Sequence, residues 1–437
     1  MTSQSFDITR RQALAGLGAT TALTLGGCAA TARPEAIAQA QAIGAERLLE
    51  VVGYNLLEHE PERATSLGVD TGRYAELRAR LEDQSQTGQD LYAATLRRDL
   101  DRVRAFPRDG LDADTITNLD VVESAYSTAL DGFALPYGDV AVGSWRNAPY
   151  VVIQNVGSYL DLPRFMESSH PLKDGSDADA YIERMEAMPA VFAGELERMR
   201  AARAMGMVPP DFLIEKATAQ LSETIKSAKA GELFAPPLRA KLVEAGMPES
   251  HANRARTLET GPIATAMEAQ LAELRLEMAE ADSDPGMWSQ PRGDEWYAWA
   301  LRASTTTTLS PDEVHEQGRE ELAALHARMD PILKEIGFTS GTVGERMQAL
   351  SQDPRYKFAQ GDPGRAEIMA FIKDRIAWIT AQMPRAFNTL VDPNLEVRRL
   401  PLAEEPGAPG AYGGAGSKDG TIPGRMWINL RTTDLHR

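Results

Sequence analysis

Six histidines, His59, His170, His251, His315, His326 and His436, are the side chains of this 437-residue sequence best suited to hold a metal or move a proton. The densest pattern around them is His315-Glu316-Gln317-Gly318-Arg319, which matches the zinc-helix motif His-Glu-x-x-His except at its last position. That motif works because two imidazoles one helical turn apart share a metal while the glutamate polarises a water. Arg319 is permanently charged and has no lone pair to give, so the pattern cannot bind zinc as the motif does. His326 does not replace it, because eleven residues of helix separate it from His315 by roughly 16 Å along the axis. The spacing of Val314, Gly318, Leu322, Leu325, Met329 and Ile332 or Leu333 predicts an apolar stripe facing the core, flanked by these two histidines.

Other catalytic patterns are incomplete. Gly157-Ser158-Tyr159 and Gly175-Ser176-Asp177 lack the second glycine of a Gly-x-Ser-x-Gly elbow. Gly413-Gly414-Ala415-Gly416-Ser417-Lys418 lacks the spacing of a phosphate loop and opens no helix. Glu316, Glu320 and Glu321 read as a solvated helix face. A single cysteine, Cys28, excludes an internal disulfide and a zinc site built on several thiolates. With 63 acidic against 46 basic side chains the formal charge is −17, which disfavours a nucleic-acid partner.

The first residues read as an address. Thr9-Arg10-Arg11-Gln12-Ala13-Leu14 has the form of a twin-arginine export signal, and the apolar run Ala13 to Leu25 has the length of a signal-peptide core and is too short for a bilayer span. Leu25-Gly26-Gly27-Cys28 has the form of a lipobox, which would make Cys28 the acylated first residue of the mature protein and the lipid bilayer its partner. The alternative is an ordinary cleaved signal peptide in which Cys28 is an incidental small residue. Either way, residues 1–27 are expected to be a signal peptide on an exported protein, on the lipobox reading held as a lipoprotein at the periplasmic face of the cell envelope.

The elements that would position any site are mainly α-helical. Helix formers with apolar spacing of three and four predict helices near 35–58, 89–105, 112–130, 177–205, 210–229, 252–281, 294–303, 311–336, 342–350 and 363–389. Ser310-Pro311-Asp312-Glu313 is a full capping box, Thr342 with Glu345 repeats it, and Ser176 with Asp179 approximates it. Residues 133–155 break the pattern as loop or extended chain. After Asp392, Leu395 to Leu400 alternates as a half-buried strand, Pro406 to Gly416 reads as a loop, and Arg425 to Leu430 reads as a second strand. The expected organisation is a helical body over 28–392 followed by 393–437, the start of a small α+β cleft region.

Gly293-Asp294-Glu295-Trp296-Tyr297, Leu301-Arg302 and the run Thr305 to Gly318 together resemble the DUF885 family of bacterial, often lipid-anchored proteins. So do Pro61 to Val69, the strand Leu395 to Leu400, the Gly/Pro loop with Tyr412, and Pro423 to Leu430. Members of this family are similar to mostly helical zinc metallopeptidases, whose His-Glu-x-x-His helix lies in a deep cleft. The resemblance implies an exported hydrolase of peptides or related amides, with zinc as the cofactor of full-length relatives. In the family that helix follows the strand matched here by Met426 to Leu430, and His436-Arg437 does not supply it. No zinc ligand or catalytic residue is therefore assigned, and the chain is expected to be an inactive, C-terminally truncated portion. The last strand, unpaired, would border the cleft and take an extended peptide by strand addition, with Tyr412 and Asn429 as candidate cleft residues. For these two, simple loop and sheet packing is the alternative. The second functional reading is a helical envelope binding or scaffold protein without catalysis.

Overall fold

Side-chain caps start the helices that organise the molecule. Ser85 Oγ accepts from Gly88 N, an Asp112 carboxylate oxygen from Thr115 N, and Asp174 from Ser176 N and Asp177 N. Ser310 and Thr342 form the two reciprocal capping boxes with Glu313 and Glu345. Asp174, rather than Ser176, is thus the cap of its helix. The computed structural model describes residues 34–431 apart from 145, 389, 391–394, 401–404, 406–409, 418–419 and 421–422. Cys28, Arg10, Arg11 and His436 lie outside the described residues.

The helices are α1 (Pro34–His59), α2 (Pro61–Ser66), α3 (Gln86–Arg104), α4 (Ala113–Phe133), α5 (Ser158–Ser168), α6 (Gly175–Ala204), α7 (Asp211–Ala230), α8 (Ala235–Glu244), α9 (Ser250–Leu258), α10 (Ala264–Glu280), α11 (Gly293–Thr305), α12 (Pro311–Glu335), α13 (Val343–Gln352) and α14 (Gly361–Gln382). A π-helical turn, Glu259–Ile263, joins α9 to α10 where Pro262 offers no N–H to the ladder. A 3-10 turn, Met383–Arg385, follows α14 with Pro384 inside it, so the helix ends earlier than its sequence pattern predicts. The stretch before α5 is loop, held by isolated bridges between Asp139 and Ala148 and between Ile153 and Val156.

The main core gathers α5 to α10 around Tyr159, Tyr181, Met185, Met188, Phe192 and Phe234. A second cluster joins α1, α3 and α4 through Val52, Tyr92, Leu96 and Leu119. Trp296 and Trp299 of α11 pack beside Tyr137 and Met207.

Two expectations fail here. The α12 stripe does not face a core: Leu322 is 53% exposed, Leu325 and Ile332 are exposed as well, and Leu333 alone of that helix is buried. Periodicity shows that one face is apolar, not that anything in the chain covers it. The last strand is also not unpaired. Strand β3 (Gly424–Ile428) is the centre of a three-stranded sheet, parallel to β1 (Leu395–Arg399) and antiparallel to β2 (Ala411–Gly414). The Gly-rich segment read as loop becomes a strand because β3 supplies the pairing that its own residues would not favour.

Candidate functional site

The three-stranded sheet has two different faces because successive side chains alternate. Val397 and Met426 pack on Phe358, Ile368 and Ile372, the last two from α14. On the other face the register aligns Arg398, Trp427 and Tyr412 in one row, with Glu396 and Arg425 in the next. The Arg398 guanidinium lies 5.9 Å from the Trp427 ring centroid. This second face and the helical body enclose a cleft of about 780 Å³ lined by Arg398, Tyr412, Arg425 and Trp427 on the strand side.

The helical wall is the loop after α5, flanked by α2, the 3-10 segment Gly72–Ala79 and α8. Glu195 of α6 anchors the start of α5 by accepting from Ser158 N at 2.7 Å, and Gln270 donates to its other oxygen at 2.7 Å. Burial pushes the Glu195 carboxyl up to about 7. At the other end Lys241 Nζ donates to the Met166 and His170 carbonyls at 2.9 and 2.7 Å. Arg425 Nη1 crosses from the sheet to the Ser168 carbonyl at 3.0 Å. Two cations therefore meet the end of α5, where the unpaired carbonyls of a helix concentrate partial negative charge.

Arg78 holds the next section of wall. It pairs with both oxygens of Asp70 and with Asp177 Oδ1 at 2.6 Å, and its hydrogen bonds to Asp70 raise its pKa. Asp177 Oδ2 accepts in turn from Lys173 N at 2.8 Å, fixing the loop. Burial, helped by the charge of Arg425, pushes the Lys241 ammonium down to about 8 against the opposing pull of Glu167. The cleft lining carries six cations, Arg78, Arg164, Lys173, Lys241, Arg398 and Arg425, against the three carboxylates Asp70, Glu167 and Glu244, in a chain of charge −17. Such a lining suits an anionic or carbonyl-rich ligand.

Of the residues singled out from sequence, Tyr412 lines this cleft and Asn429 does not. Asn429 is buried; its Nδ2 donates to the Glu405 carbonyl at 2.7 Å and its Oδ1 accepts from Arg431 N at 3.1 Å. The described histidines are scattered. His59 meets Thr95 Oγ1 at 3.0 Å, His251 meets Asp179 at 2.9 Å, and His315 and His326 lie exposed on α12. His170 is locked in the body by Arg184 and the Asp177 carbonyl. Among the described residues no three His, Cys, Asp or Glu side chains are grouped to hold a metal ion. The described residues therefore supply no zinc site. Lys241, Arg425 and Trp427 were not singled out from sequence. Arg425 and Trp427 sit in a strand that was foreseen, on the face carried by alternation, whereas nothing near Lys241 in sequence marks it.

The sequence matches, over residues 61–437, the family described as bacterial protein of unknown function, DUF885. The chain belongs to the DUF885 family. Among solved structures, this DUF885 chain is similar to a candidate lipoprotein from Colwellia psychrerythraea at 25% identity and a TM-score of 0.84, covering 91% of this chain and 69% of that one. A candidate lipoprotein of unknown function from Shewanella oneidensis shares the fold at 13% identity and a TM-score of 0.57, covering 89% of this chain and 64% of that one. The chain thus spans less than two thirds of the Shewanella protein. Comparison with curated proteins finds no match.

Proposed function

We propose that this DUF885 protein is an exported, lipid-anchored envelope protein whose cleft binds a peptide-like ligand. The observation that carries the reading is the row Arg398, Trp427 and Tyr412 facing a cation-lined helical wall across about 780 Å³. A few-residue peptide has the size for such a space, apolar or aromatic groups for the Trp427 and Tyr412 rings, and carbonyls for the cations. The lipobox at Cys28 and the candidate lipoproteins of the same fold support the envelope setting. The family resemblance to zinc peptidases supports a peptide or related amide as ligand. Recognition, and not bond cleavage, is what the residues of this chain are assigned.

The test is titration of the detergent-solubilised full chain with a dansylated hexapeptide. Trp427→Ala is expected to weaken binding about tenfold, the worth of one aromatic contact of about 1.4 kcal/mol. Unchanged affinity in a variant with the wild-type melting temperature would sink the reading.

The second reading is an envelope binding or scaffold protein of a line without hydrolysis. The DNA after codon 437 separates the two. A His-Glu-x-x-His sequence in any frame supports the peptidase line, and its absence from all three frames supports the scaffold.

A further inference from the structure

Lys241 makes no ion pair among the described residues, and Glu167 acts on its charge only from beyond ion-pair distance. Its two contacts are the carbonyl oxygens of Met166 and His170. An ammonium has three N–H groups, so one remains for a ligand. Across the cleft Arg425 donates to the Ser168 carbonyl, within the same short chain segment, and among the described residues the one carboxylate it pairs with, Glu396, is shared with Arg398. One wall of the cleft therefore presents a half-buried ammonium and the other a guanidinium, both gathered on residues 166–170 and together short of negative charge.

We propose that Lys241 and Arg425 receive the terminal carboxylate of the peptide-like ligand, with the residues preceding it lying along Trp427 and Tyr412. This rests on the peptide-binding reading of the cleft and adds the end of the peptide that is recognised. A carboxylate has two oxygens, one for each cation, and charge-assisted hydrogen bonds of this kind are stronger than those between neutral groups. Burial already penalises the Lys241 charge, and an anion beside it offsets that penalty. A ligand without the charge leaves the third N–H unmatched and gains none of this.

The experiment uses two probes, dansyl-trialanine with a free carboxylate and the same peptide as its C-terminal amide, titrated into the detergent-solubilised full chain. The acid is expected to bind about 10 to 100 times more tightly than the amide, the range of a hydrogen bond to a charged group. Lys241→Met and Arg425→Gln should each narrow the gap between acid and amide. Equal affinities for acid and amide in the wild-type protein overturn the inference while leaving the cleft reading intact. Failure of both probes to bind overturns the cleft reading and this inference with it. The wild-type comparison decides without any variant, so misfolding of Lys241→Met does not remove the test.

Discussion

Arg184 Nη1 meets His170 Nδ1 at 2.9 Å, and both side chains are buried beneath the loop that lines the cleft. On the opposite edge of the ring, His170 Nε2 lies 2.9 Å from the Asp177 carbonyl oxygen. A carbonyl only accepts, so Nε2 carries the proton and Nδ1 accepts from the guanidinium, which fixes a neutral imidazole. Arg184 also donates to the Thr65 hydroxyl and to the Leu77 and Arg80 carbonyls. The pair thus ties the loop after α5 to α2 and the 3-10 segment, and acts through the shape of the cleft wall.

Acid should loosen this arrangement. Burial first, and then the charge of Arg184, push His170 down to about 3 from an ordinary value of 6.5. In the unfolded chain the ring takes a proton below pH 6.5, while in the folded protein it stays neutral until about pH 3. The stability it contributes is therefore complete above 6.5 and is lost as pH falls, by about 2 kcal/mol at pH 5. Glu195 and Glu277, raised by burial to about 7 and about 8, act in the opposite direction. The measurement is therefore a difference between proteins. Urea unfolding at pH 7, 6 and 5 should show the gap between wild type and His170→Gln narrowing toward acid, and a constant gap would refute the assignment.

Two glycines should respond to the same substitution with opposite signs. A Cβ on Gly194 of α6 would stand 2.6 Å from Ser85 N and 2.8 Å from the Gln84 carbonyl carbon, backbone atoms at the capped start of α3. Gly194→Ala is expected to cost about 1–3 kcal/mol because the two elements must move apart. Around Gly53 of α1 nothing lies within 4 Å of such a Cβ, so Gly53→Ala should stabilise by about 0.5–1 kcal/mol. Thermal melts of the two variants check both, and a neutral Gly194→Ala would contradict the packing of α6 on α3.

How much of this was legible in sequence depended on range. The capping boxes at Ser310 and Thr342 are local chemistry, and both helices start where those residues indicate. Strands β1 and β3 were legible from alternation, but β2 was not, because Ala411–Gly414 becomes a strand only against β3. Helices α2, α5 and α8 are too short to show a full apolar period, and α8 opens on Ala235 with Pro236 and Pro237 in its first turn. Tyr412 was found through the family resemblance, yet the rest of the cleft depends on contacts between distant segments. Lys241 reaches His170 across 71 residues and Arg425 reaches Ser168 across 257. No window of sequence holds both partners.

Helix α12 gives a direct measure of the stripe that periodicity misplaced. Leu333 is 2% exposed and Leu322 is 53% exposed on the same helix. Leu333→Ala should cost about 2–5 kcal/mol as a buried deletion, whereas Leu322→Ser should stay within about 0.5 kcal/mol, as surface changes do. Denaturant midpoints report both. A large loss in Leu322→Ser would mean that the face is covered in solution.

Membrane attachment should depend on one atom, the Cys28 sulfur. The chain carries no other cysteine, and no described helix is long and apolar enough to cross a membrane. Acyl chains contribute about 0.8 kcal/mol per buried methylene, so a single chain holds a protein only marginally while two or three hold it firmly. An acidic surface adds no attraction to anionic lipid heads, which leaves the anchor to account for retention. The wild-type protein should therefore stay with membranes through a high-salt wash and incorporate a clickable palmitate analogue. Cys28→Ala should lose the label and move to the soluble fraction with an unchanged melting temperature. Retention of the unlabelled variant on membranes after the salt wash would show that the attachment has another source and that Cys28 is an incidental residue of an ordinary signal peptide.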